Sequence, residues 1–497
     1  MTSATYNVPR PALLLVLDGI RPDVLRAAIR EGGAPNLGAL AQRGEAVWDA
    51  VSVFPSITPA ATAAIATGEA PAKSGIVGHA WYDEYERRVV VYGAMTETVM
   101  ASGPIRVFHN NVWRMNRDDL HAATLFEALH DRGFDGACVN FPVRRGPHTH
   151  PVRMKTIEGY LMGGRYLGPS VQGPKEYFMG DLFYSRDTGF SGRRANGGVL
   201  RSVGINDDYA ARVGAMLLRE RAVPFNLVYF FKGDSIAHHH GLSAQRQWLT
   251  TADEYVARLF SAGGGVDRVL EDYAVLALSD HGHAPLLPKS RYVDLRIIPG
   301  QKVSSGVKAR FGNGTTIVVV PNGRSVLLYL RGDVELESVV ERLVGRRGVD
   351  LAAWMEDGWA VVRRLGRELR FLPGSGVRDS FGRSWELEGD PRALDIDVSD
   401  GSLHYGEYPD ALERLWGCLH SPRCGDVVLS AAPGYTFGEI SGGSHTASDH
   451  GSLHASDSNV FVLASGVPAP RRITDVAPTL LSHFGADLVA GDRVLQE

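Results

Sequence analysis

The chain has 497 residues, of which 44% are hydrophobic and 22% charged, and this balance is typical of a globular protein. Lys and Arg (52) nearly balance Asp and Glu (56), which argues against a partner such as a nucleic-acid polymer that needs a basic surface. The length allows one large α/β domain with an insertion, or two or three domains. Three cysteines are too few for a disulfide framework and favour a reducing compartment, although Cys418 and Cys424 could pair.

The first apolar run, Ala12 to Leu17, is followed at once by Asp18-Gly19. The run is too short to cross a membrane, and no small-residue cleavage site follows it. A buried parallel strand that enters the loop of a functional site has this pattern. We therefore expect a first strand here, in a cytoplasmic protein with no membrane partner.

Short apolar runs recur along the chain, and each is followed by polar or glycine-rich residues and then by a helical pattern. The strand candidates are Ala12–Leu17, Gly136–Phe141, Phe225–Phe231, Tyr273–Leu278 and Asn459–Ala464. The helix candidates are Asp23–Glu31, Leu37–Arg43, Ala122–Arg132, Asp208–Glu220 and Ala252–Ala262. Strands that are apolar on both faces and alternate with helices indicate a parallel sheet covered on both sides. The sequence therefore predicts an α/β fold in which helices sandwich a parallel-rich central sheet.

The pattern changes between residues 289 and 398. The predicted elements there are strands at Thr315–Val320, Ser325–Leu330, Trp359–Leu365 and Glu368–Leu372 and a helix at Glu335–Val344. The first two strands flank Pro321-Asn322-Gly323-Arg324, which is typical of a hairpin turn. We interpret 289–398 as a small inserted α+β cap subdomain, and 1–288 together with 399–497 as the catalytic core. Residues 158–206 lack periodicity, so we expect long loops or lid elements there.

A threonine stands where a helix is predicted to begin. Pro59 suits the first helical position, which makes Thr58 the N-cap residue. The run from Ala60 to Ala66 favours a helix, and Gly68 can end it. Because a helix N-terminus attracts anions, the Thr58 hydroxyl is expected where a phosphate would bind. Taken alone, however, this pattern is that of an ordinary helix cap.

Aspartates and histidines lie close to the predicted strands. They are Asp18, Asp234, His238, Asp280, His281 and His450, and all but His450 follow a strand. In open α/β sheets, ligands bind at the carboxyl ends of the strands. Each residue alone has a plain structural explanation, such as a turn or a solvated pair. Together with Thr58 they indicate a mixed Asp/His metal site, which suits zinc, with manganese or iron as alternatives.

The motifs around these residues form an ordered series. They are Leu15-Val16-Leu17-Asp18-Gly19, Ala34-Pro35-Asn36-Leu37, Phe54-Pro55-Ser56-Ile57-Thr58 through Ala66-Thr67-Gly68, Gly75-Ile76-Val77-Gly78 with Trp81-Tyr82-Asp83, Asp234 with His238, Ser279-Asp280-His281-Gly282, His450-Gly451-Ser452 and Asp475-Val476-Ala477-Pro478-Thr479-Leu480. With these motifs in this order, the chain resembles the alkaline phosphatase superfamily, in the branch of type I phosphodiesterases and nucleotide pyrophosphatases. The resemblance runs from residue 13 to residue 485 and leaves only 289–398 and 158–206 uncovered.

The resemblance implies a role for each candidate. One divalent metal ion would be held by Asp234, His238 and His450. A second ion would be held by Asp18, Asp280 and His281, with the Thr58 oxygen as its fourth ligand. Thr58 would then be the catalytic nucleophile, and a phospho-threonine intermediate would be hydrolysed by water.

Neighbouring histidines compete for these roles. His445 and His454 are alternatives to His450, which we prefer because the Gly-Ser-Leu that follows it matches the family. His239, His240 and His283 stand beside predicted ligands, and we expect them to support the ligands or to lie at the surface.

Two residues are candidate substrate contacts. Where the family usually carries a His before Gly-Ile and an Asn after the following Gly, this chain has Ser74 and His79. His79 would donate a hydrogen bond to a non-bridging phosphate oxygen, and the alternative is a loop histidine beside Trp81. Arg144 loosely matches the basic residues that bind the terminal phosphate in some phosphomonoesterases of the family, but Pro142 replaces the lysine two residues earlier. The alternative for Arg144 is an exposed loop residue.

The resemblance implies a two-metal hydrolase of small phosphate esters, acting as a phosphodiesterase or nucleotide pyrophosphatase and forming a monomer or homodimer. A phosphomonoesterase or phosphonate hydrolase on the same scaffold is the alternative. Sulfate hydrolysis is disfavoured, because that branch of the superfamily uses a formylglycine derived from Cys or Ser where this chain has Thr58. A non-catalytic binding protein would have lost at least one of the seven metal-site positions, and all seven are filled.

Overall fold

The computed structural model describes residues 9–93, 96–152, 169–180, 182–186, 205–289, 291–440 and 445–486. These residues form two large β-sheets with helices around them. The first sheet has eight strands, in the spatial order Glu45–Val51, Asn459–Ser465, Ala274–Leu278, Ala12–Leu17, Phe225–Phe230, Gly136–Val139, Glu176–Met179 and Phe183–Tyr184. The five strands from Ala274–Leu278 to Glu176–Met179 are mutually parallel. This arrangement confirms the predicted α/β fold with a parallel-rich central sheet.

The second sheet has eleven strands and is mostly antiparallel. Its strands are Val303–Ser305, Ile317–Gly323, Ser325–Leu330, Val349–Glu356, Trp359–Arg364, Arg367–Asp379, Ser384–Gly389, Ile396–Ser399, Ser402–Tyr405, Val427–Ala431 and Gly438–Glu439. The predicted hairpin is present, with Pro321 paired to Val326. The sheet extends past residue 398, since Val427–Ala431 lies between Ser325–Leu330 and Val349–Glu356. The division into a core and a 289–398 subdomain therefore stays a proposal.

Helices cover the first sheet. The α-helices are Pro22–Arg30, Pro35–Arg43, Thr58–Thr67, Pro71–Ser74, Thr96–Ser102, Pro104–His109, Leu125–Asp131, Asp207–Glu220, Lys232–Ala262, Val266–Asp272, Leu336–Val344, Ala411–Leu419, Ala455–Ser458 and Val476–His483, with a π-helix at Asn110–Asp119 and 3₁₀ turns at Pro391–Leu394 and Ile473–Asp475. The predicted helix at Ala252–Ala262 is the end of a longer one, which is kinked where Gly241 has a φ of 82°. Two-stranded sheets join Ala80–Asp83 to Arg88–Val91, His148–His150 to Val171–Gly173, and Ala284–Pro285 to Ser448–Asp449.

The central strand Ala12–Leu17 buries both of its faces. Leu13, Leu15 and Leu17 pack in a cluster with residues of the helices Pro22–Arg30 and Asp207–Glu220. The alternate residues of the strand pack in a second cluster, with the helix Thr58–Thr67 and with residues of the second sheet. The alternation follows from the two-residue period of a strand, and it places the second sheet against one face of the first.

The structure contains strands in two places where the sequence predicted none. Part of 158–206 forms strands rather than loops, because Glu176–Met179 and Phe183–Tyr184 join the edge of the first sheet through buried aromatic residues. The rest of that stretch lies largely outside the described residues. The strand Glu45–Val51 was not predicted, since only its last two residues are fully buried. Within the described residues, no helix combines the length and apolarity needed to cross a membrane.

All three cysteines are free and buried in the structure. Cys418 and Cys424 therefore do not form the disulfide that their spacing allowed.

A buried ion pair ties the second sheet to the segment that carries His450. Arg324, at the hairpin tip, is fully buried and donates from Nη1 to Asp457 Oδ1, while its Nε donates to the Tyr435 carbonyl at 2.9 Å. Asp457 Oδ2 in turn accepts from the Ser452 backbone N–H at 2.8 Å. The pair thus joins the hairpin to the loop between His450 and the helix Ala455–Ser458.

Replacing Arg324 with Met is expected to destabilise the fold, because the Asp457 carboxylate would be left buried without its partner. Loss of one member of a buried pair costs about 3–5 kcal/mol, and urea denaturation followed by circular dichroism would measure the change in the free energy of unfolding. Arg212→Met is the matched control, since Arg212 is 53% exposed and pairs with Asp208 on a helix surface, where loss of an ion pair costs about 1 kcal/mol or less. Equal losses in the two variants would contradict the structural role given to Arg324.

Candidate metal centre

The candidate site lies at the carboxyl ends of three neighbouring parallel strands of the first sheet. Asp18 follows Ala12–Leu17, and Asp280 follows Ala274–Leu278 after one residue. Asp234 lies in the first turn of the helix that follows Phe225–Phe230. Because these strands are adjacent and parallel, their ends bring three carboxylates from distant parts of the chain to one edge.

One group of side chains surrounds the Thr58 hydroxyl. His281 Nε2 lies 3.0 Å from Thr58 Oγ1, 3.3 Å from Asp18 Oδ1 and 3.6 Å from Asp280 Oδ2. Asp18, Asp280 and His281 are all buried. Their ligand atoms lie within 4.8 Å of one another, which is close enough for a single ion to contact all three.

A second group is centred on Asp234. Its Oδ1 lies 3.2 Å from His238 Nε2 and 3.4 Å from His450 Nε2. Asp234 and His238 are four residues apart and share one face of the helix, as the sequence allowed. The structure therefore brings together the two ligand sets that the family resemblance implied, and the rings of His281 and His450 stack between them with centroids 3.7 Å apart.

Each of the three candidate histidine ligands is oriented by a backbone carbonyl. The Nδ1–H of His238 donates to Ser448 O at 3.0 Å, that of His281 to Gly282 O at 3.0 Å, and that of His450 to Ser56 O at 2.8 Å. A carbonyl only accepts, so Nδ1 carries a proton in each ring, and Nε2 is the nitrogen that faces the carboxylates. Such bonds to the far nitrogen orient histidine ligands in metal sites.

The electrostatics of the cluster require a positive charge. Burial, together with the charge of Asp234, raises the pKa of Asp18 well above its usual value, and burial beside Asp18 does the same to Asp280. Burial also lowers the pKa of His450 well below its usual value, so its imidazole is neutral. Buried carboxylates beside neutral imidazoles are unfavourable unless a cation joins them.

Two carboxylate oxygen atoms of the cluster are left without a hydrogen bond among the described residues. Asp18 Oδ1 and Asp280 Oδ2 are buried and accept no hydrogen bond from any of the described residues. The other oxygen of Asp18 accepts a hydrogen bond from the Tyr229 hydroxyl. Orphaned buried carboxylate oxygens beside oriented imidazoles fit divalent metal ions, and an Asp/His donor set suits zinc.

Thr58 is the first helical residue rather than the N-cap. Ile57, in extended conformation, precedes the helix, and its carbonyl accepts the first helical hydrogen bond from Ala61 at 2.9 Å. The prediction was therefore shifted by one residue, with Pro59 in the second position. As a result, the Thr58 hydroxyl makes no capping bond and contacts His281 instead.

Other histidines near the site take supporting positions. The ring of His445 stacks on His238 at 3.5 Å, and its Nδ1 lies 3.0 Å from Asp449 Oδ1. This carboxylate outweighs the effect of burial and raises the pKa of His445 to about 9. His454 caps the helix Ala455–Ser458 and pairs with Glu407 at 2.9 Å. His239 and His240 are exposed on the helix of His238.

His283 contacts Asp234 and Ser448 through its two ring nitrogens. Its Nε2 lies 2.9 Å from Asp234 Oδ1, and its Nδ1 lies 3.2 Å from Ser448 Oγ. The ring is fully buried, which lowers the pKa of His283 to about 4 and keeps the imidazole neutral. It therefore supports the same Asp234 oxygen that faces His238 and His450, and its ligand atom lies within 4.8 Å of those of Asp234, His281 and His450.

The two predicted substrate contacts differ in their positions. His79 lies close enough to the cluster for Asp234 and His281 to affect its titration, while burial lowers the pKa of His79 to about 4. At neutral pH it is an uncharged donor rather than a cation. Arg144 is buried, stacks over Tyr177 and Phe183 at 5.3 Å, and donates to the carbonyls of Val112 and Pro142. These contacts engage the Arg144 guanidinium within the fold rather than at the cluster of predicted metal ligands.

The structure adds a residue of the second sheet that the sequence did not single out. Asn322 is fully buried, and its amide forms two hydrogen bonds to the backbone of Ala80, each 2.9 Å long. A Cβ on Gly78 would lie 2.7 Å from Asn322 Oδ1, so the close approach requires glycine. Both flanks of His79 are thereby held against the hairpin Ile317–Leu330.

Comparisons with known proteins place this geometry in a family. The profile of the type I phosphodiesterase / nucleotide pyrophosphatase family matches residues 12–453. A solved phosphonoacetate hydrolase from Sinorhizobium meliloti 1021, in complex with phosphonoformate, is 19% identical with a TM-score of 0.56 over 96% of both chains. Human ectonucleotide pyrophosphatase / phosphodiesterase 5 is 13% identical with a TM-score of 0.58 over 97% of both chains, and the murine protein is 12% identical with a TM-score of 0.57 over 97% of both. No curated protein matches the sequence significantly.

The fold and the Asp/His cluster at its sheet edge define the class as the alkaline phosphatase superfamily. Because the family profile spans most of the chain, the protein belongs to the type I phosphodiesterase / nucleotide pyrophosphatase family. It is therefore a metal-dependent phosphoric ester hydrolase.

His283→Ala is expected to weaken metal binding, because Asp234 would lose the imidazole that orients it. The loss of such a supporting contact lowers metal affinity by about 10- to 100-fold, and competition for zinc with a chromophoric chelator would measure it. His240→Ala is the control, since His240 is exposed on the same helix as the ligands. Unchanged zinc affinity in His283→Ala would show that the contact does not support the site.

Proposed function

We propose that this protein hydrolyses phosphodiester or diphosphate bonds of small esters, with Thr58 as the nucleophile. The observation that supports the proposal most strongly is the 3.0 Å separation of Thr58 Oγ1 from His281 Nε2, inside a buried cluster of Asp18 and Asp280. A hydroxyl at the start of a helix, beside groups that fit a divalent cation, has the environment of an activated nucleophile.

Two divalent metal ions, preferably zinc with manganese or iron as alternatives, would occupy the two groups of side chains. Asp234, His238 and His450 would hold one ion, and Asp18, Asp280 and His281 would hold the other together with Thr58. When bound, such ions act as Lewis acids that lower the pKa of a hydroxyl and neutralise the charge developing on phosphate oxygens.

The chain itself positions the attacking oxygen. Thr62 Oγ1 donates to the Thr58 carbonyl at 2.7 Å, and the neighbouring Ser56 carbonyl holds His450. In the proposed reaction Thr58 Oγ forms a bond to phosphorus while the phosphorus–oxygen bond to the leaving group breaks. The products of this step are a phosphorylated Thr58 that still carries the retained ester group, and the released alcohol or nucleotide, which takes up the proton that the hydroxyl loses. Water then attacks the same phosphorus, which returns the Thr58 hydroxyl and releases the remaining phosphate ester.

The position of Arg144 favours a diester over a monoester substrate. A terminal phosphate carries an additional negative charge, and Arg144 was the residue predicted to neutralise it. In the structure, its guanidinium instead donates to backbone carbonyls in the core. A phosphomonoesterase or phosphonate hydrolase is the second candidate function, because the fold is similar to that of a phosphonoacetate hydrolase.

His79 is the proposed donor to a non-bridging phosphate oxygen. As a neutral imidazole it can donate one hydrogen bond without contributing charge, as the usual Asn of the family would. Asn322 would act through His79, since its amide fixes the backbone at Ala80 beside it. The cytoplasmic location and the monomeric or dimeric state remain predictions of the sequence.

Thr58→Ala is expected to lower kcat for bis-nitrophenyl phosphate by about 10³-fold or more, because no other side chain would supply the nucleophile. Thr58→Ser keeps the hydroxyl and should retain part of the activity. Parallel assays on nitrophenyl monoester, diester and phosphonate substrates would rank the candidate functions. Full activity in Thr58→Ala would contradict the mechanism, and monoester activity far above diester activity would reverse the ranking of substrates.

His79→Ala is expected to lower kcat/KM by about 10²-fold, as does the loss of one donor to the charge of a transition state. Asn322→Ala should lower kcat/KM in the wild type but add little in the His79→Ala background, because it acts through the same side chain. His404→Ala, at an exposed position, is the control. Fully additive losses would show that Asn322 does not act through His79. An unchanged kcat/KM in His79→Ala would show that His79 does not contact the phosphate.

A further inference from the structure

A second cluster with metal-binding chemistry lies apart from the proposed active site. It consists of His130, Asp135 and His148, whose ligand atoms lie within 4.8 Å of one another. His130 is in the last turn of the helix Leu125–Asp131, Asp135 directly precedes the strand Gly136–Val139, and His148 begins the strand His148–His150. Three separate elements thus direct side chains to one point.

The two imidazoles face the same carboxylate oxygen. His148 Nε2 lies 3.3 Å from Asp135 Oδ1, and His130 Nδ1 lies 3.5 Å from it. Two ligands held at the usual zinc distances and at a tetrahedral angle are about 3.3 Å apart. The two distances to Asp135 Oδ1 are close to that value. The rings meet edge to face, with centroids 5.2 Å apart.

Lys175 leaves the facing oxygen available. Its Nζ binds the other oxygen, Asp135 Oδ2, at 2.8 Å. The ammonium orients the carboxylate and turns Oδ1 towards the histidines, although its charge opposes that of an incoming cation. The side chains of the two histidines are 43% and 36% exposed, so an ion can reach the cluster and keep water as a further ligand.

We propose that His130, Asp135 and His148 form an additional binding site for zinc or a similar borderline divalent ion. Imidazole and carboxylate ligands in this number suit zinc, and an open fourth position makes the ion exchangeable. The bound ion would link the end of a helix to the start of a strand in the first sheet and to the strand His148–His150. The proposal does not depend on the catalytic function proposed above.

The zinc content of the purified full-length chain tests this site. After equilibrium dialysis against buffered free zinc, elemental analysis should find one zinc ion fewer per chain in His130→Gln/His148→Gln than in the wild type. The rate of phosphodiester hydrolysis should be the same in both. His404→Gln, which removes an exposed histidine elsewhere, should bind as much zinc as the wild type. Any zinc in the catalytic site is common to all three proteins, so the difference reports on this cluster alone.

Lys175→Met provides a second measurement. If Asp135 binds an ion, removing the opposing ammonium should tighten zinc binding at the cluster, which competition with a chelator would detect. If the three residues form only ion pairs with one another and with Lys175, Lys175→Met should not tighten zinc binding. Equal zinc content in the wild type and the double variant would overturn the proposal, as would weaker zinc binding in Lys175→Met.

Discussion

The close approach of three carboxylates, two of them buried, is the constraint on which this structure depends. Asp18, Asp234 and Asp280 meet because three adjacent parallel strands end at the same edge, and burial raises the pKa of Asp18 and Asp280. The Nδ1–H groups of the neighbouring imidazoles donate to backbone carbonyls, which turns Nε2 of each ring towards the carboxylates. Such a cluster is costly unless cations occupy it, which makes it the candidate site for the metal ions.

The second sheet contributes to the site through two residues of one hairpin. Its hairpin Ile317–Leu330 reaches the catalytic edge through Asn322, which holds the backbone beside His79, and through Arg324, which pairs with Asp457. The loop of His450 is tied to this hairpin by a hydrogen bond from Arg324 N to His450 O at 2.8 Å. The hairpin and the first sheet therefore fix opposite sides of one cluster, and a change in their contact would displace both the candidate donor and a candidate ligand.

Much of this organisation follows from local sequence patterns. Apolar runs that end in Asp or Asp-His predicted the central strands, and the order of motifs predicted which side chains would meet. Thr58 was misplaced by one position, because either Ile57 or Thr58 could precede a helix with proline near its start. Arg144 and His283 required the tertiary structure, since a guanidinium between Tyr177 and Phe183 and an imidazole on Asp234 depend on contacts between distant segments. The extent of the second sheet could likewise not be predicted from the sequence, because Val427–Ala431 joins the sheet from beyond residue 398, the predicted boundary.

We expect two metal ions to bind side by side at the start of the helix Thr58–Thr67. Zinc-edge anomalous diffraction from crystals of the zinc-loaded protein tests this arrangement most directly. One peak is expected among Asp234, His238 and His450, and a second among Asp18, Asp280, His281 and the Thr58 hydroxyl. A single peak in this cluster, or peaks that leave Thr58 without a neighbouring ion, would contradict the proposed two-metal site.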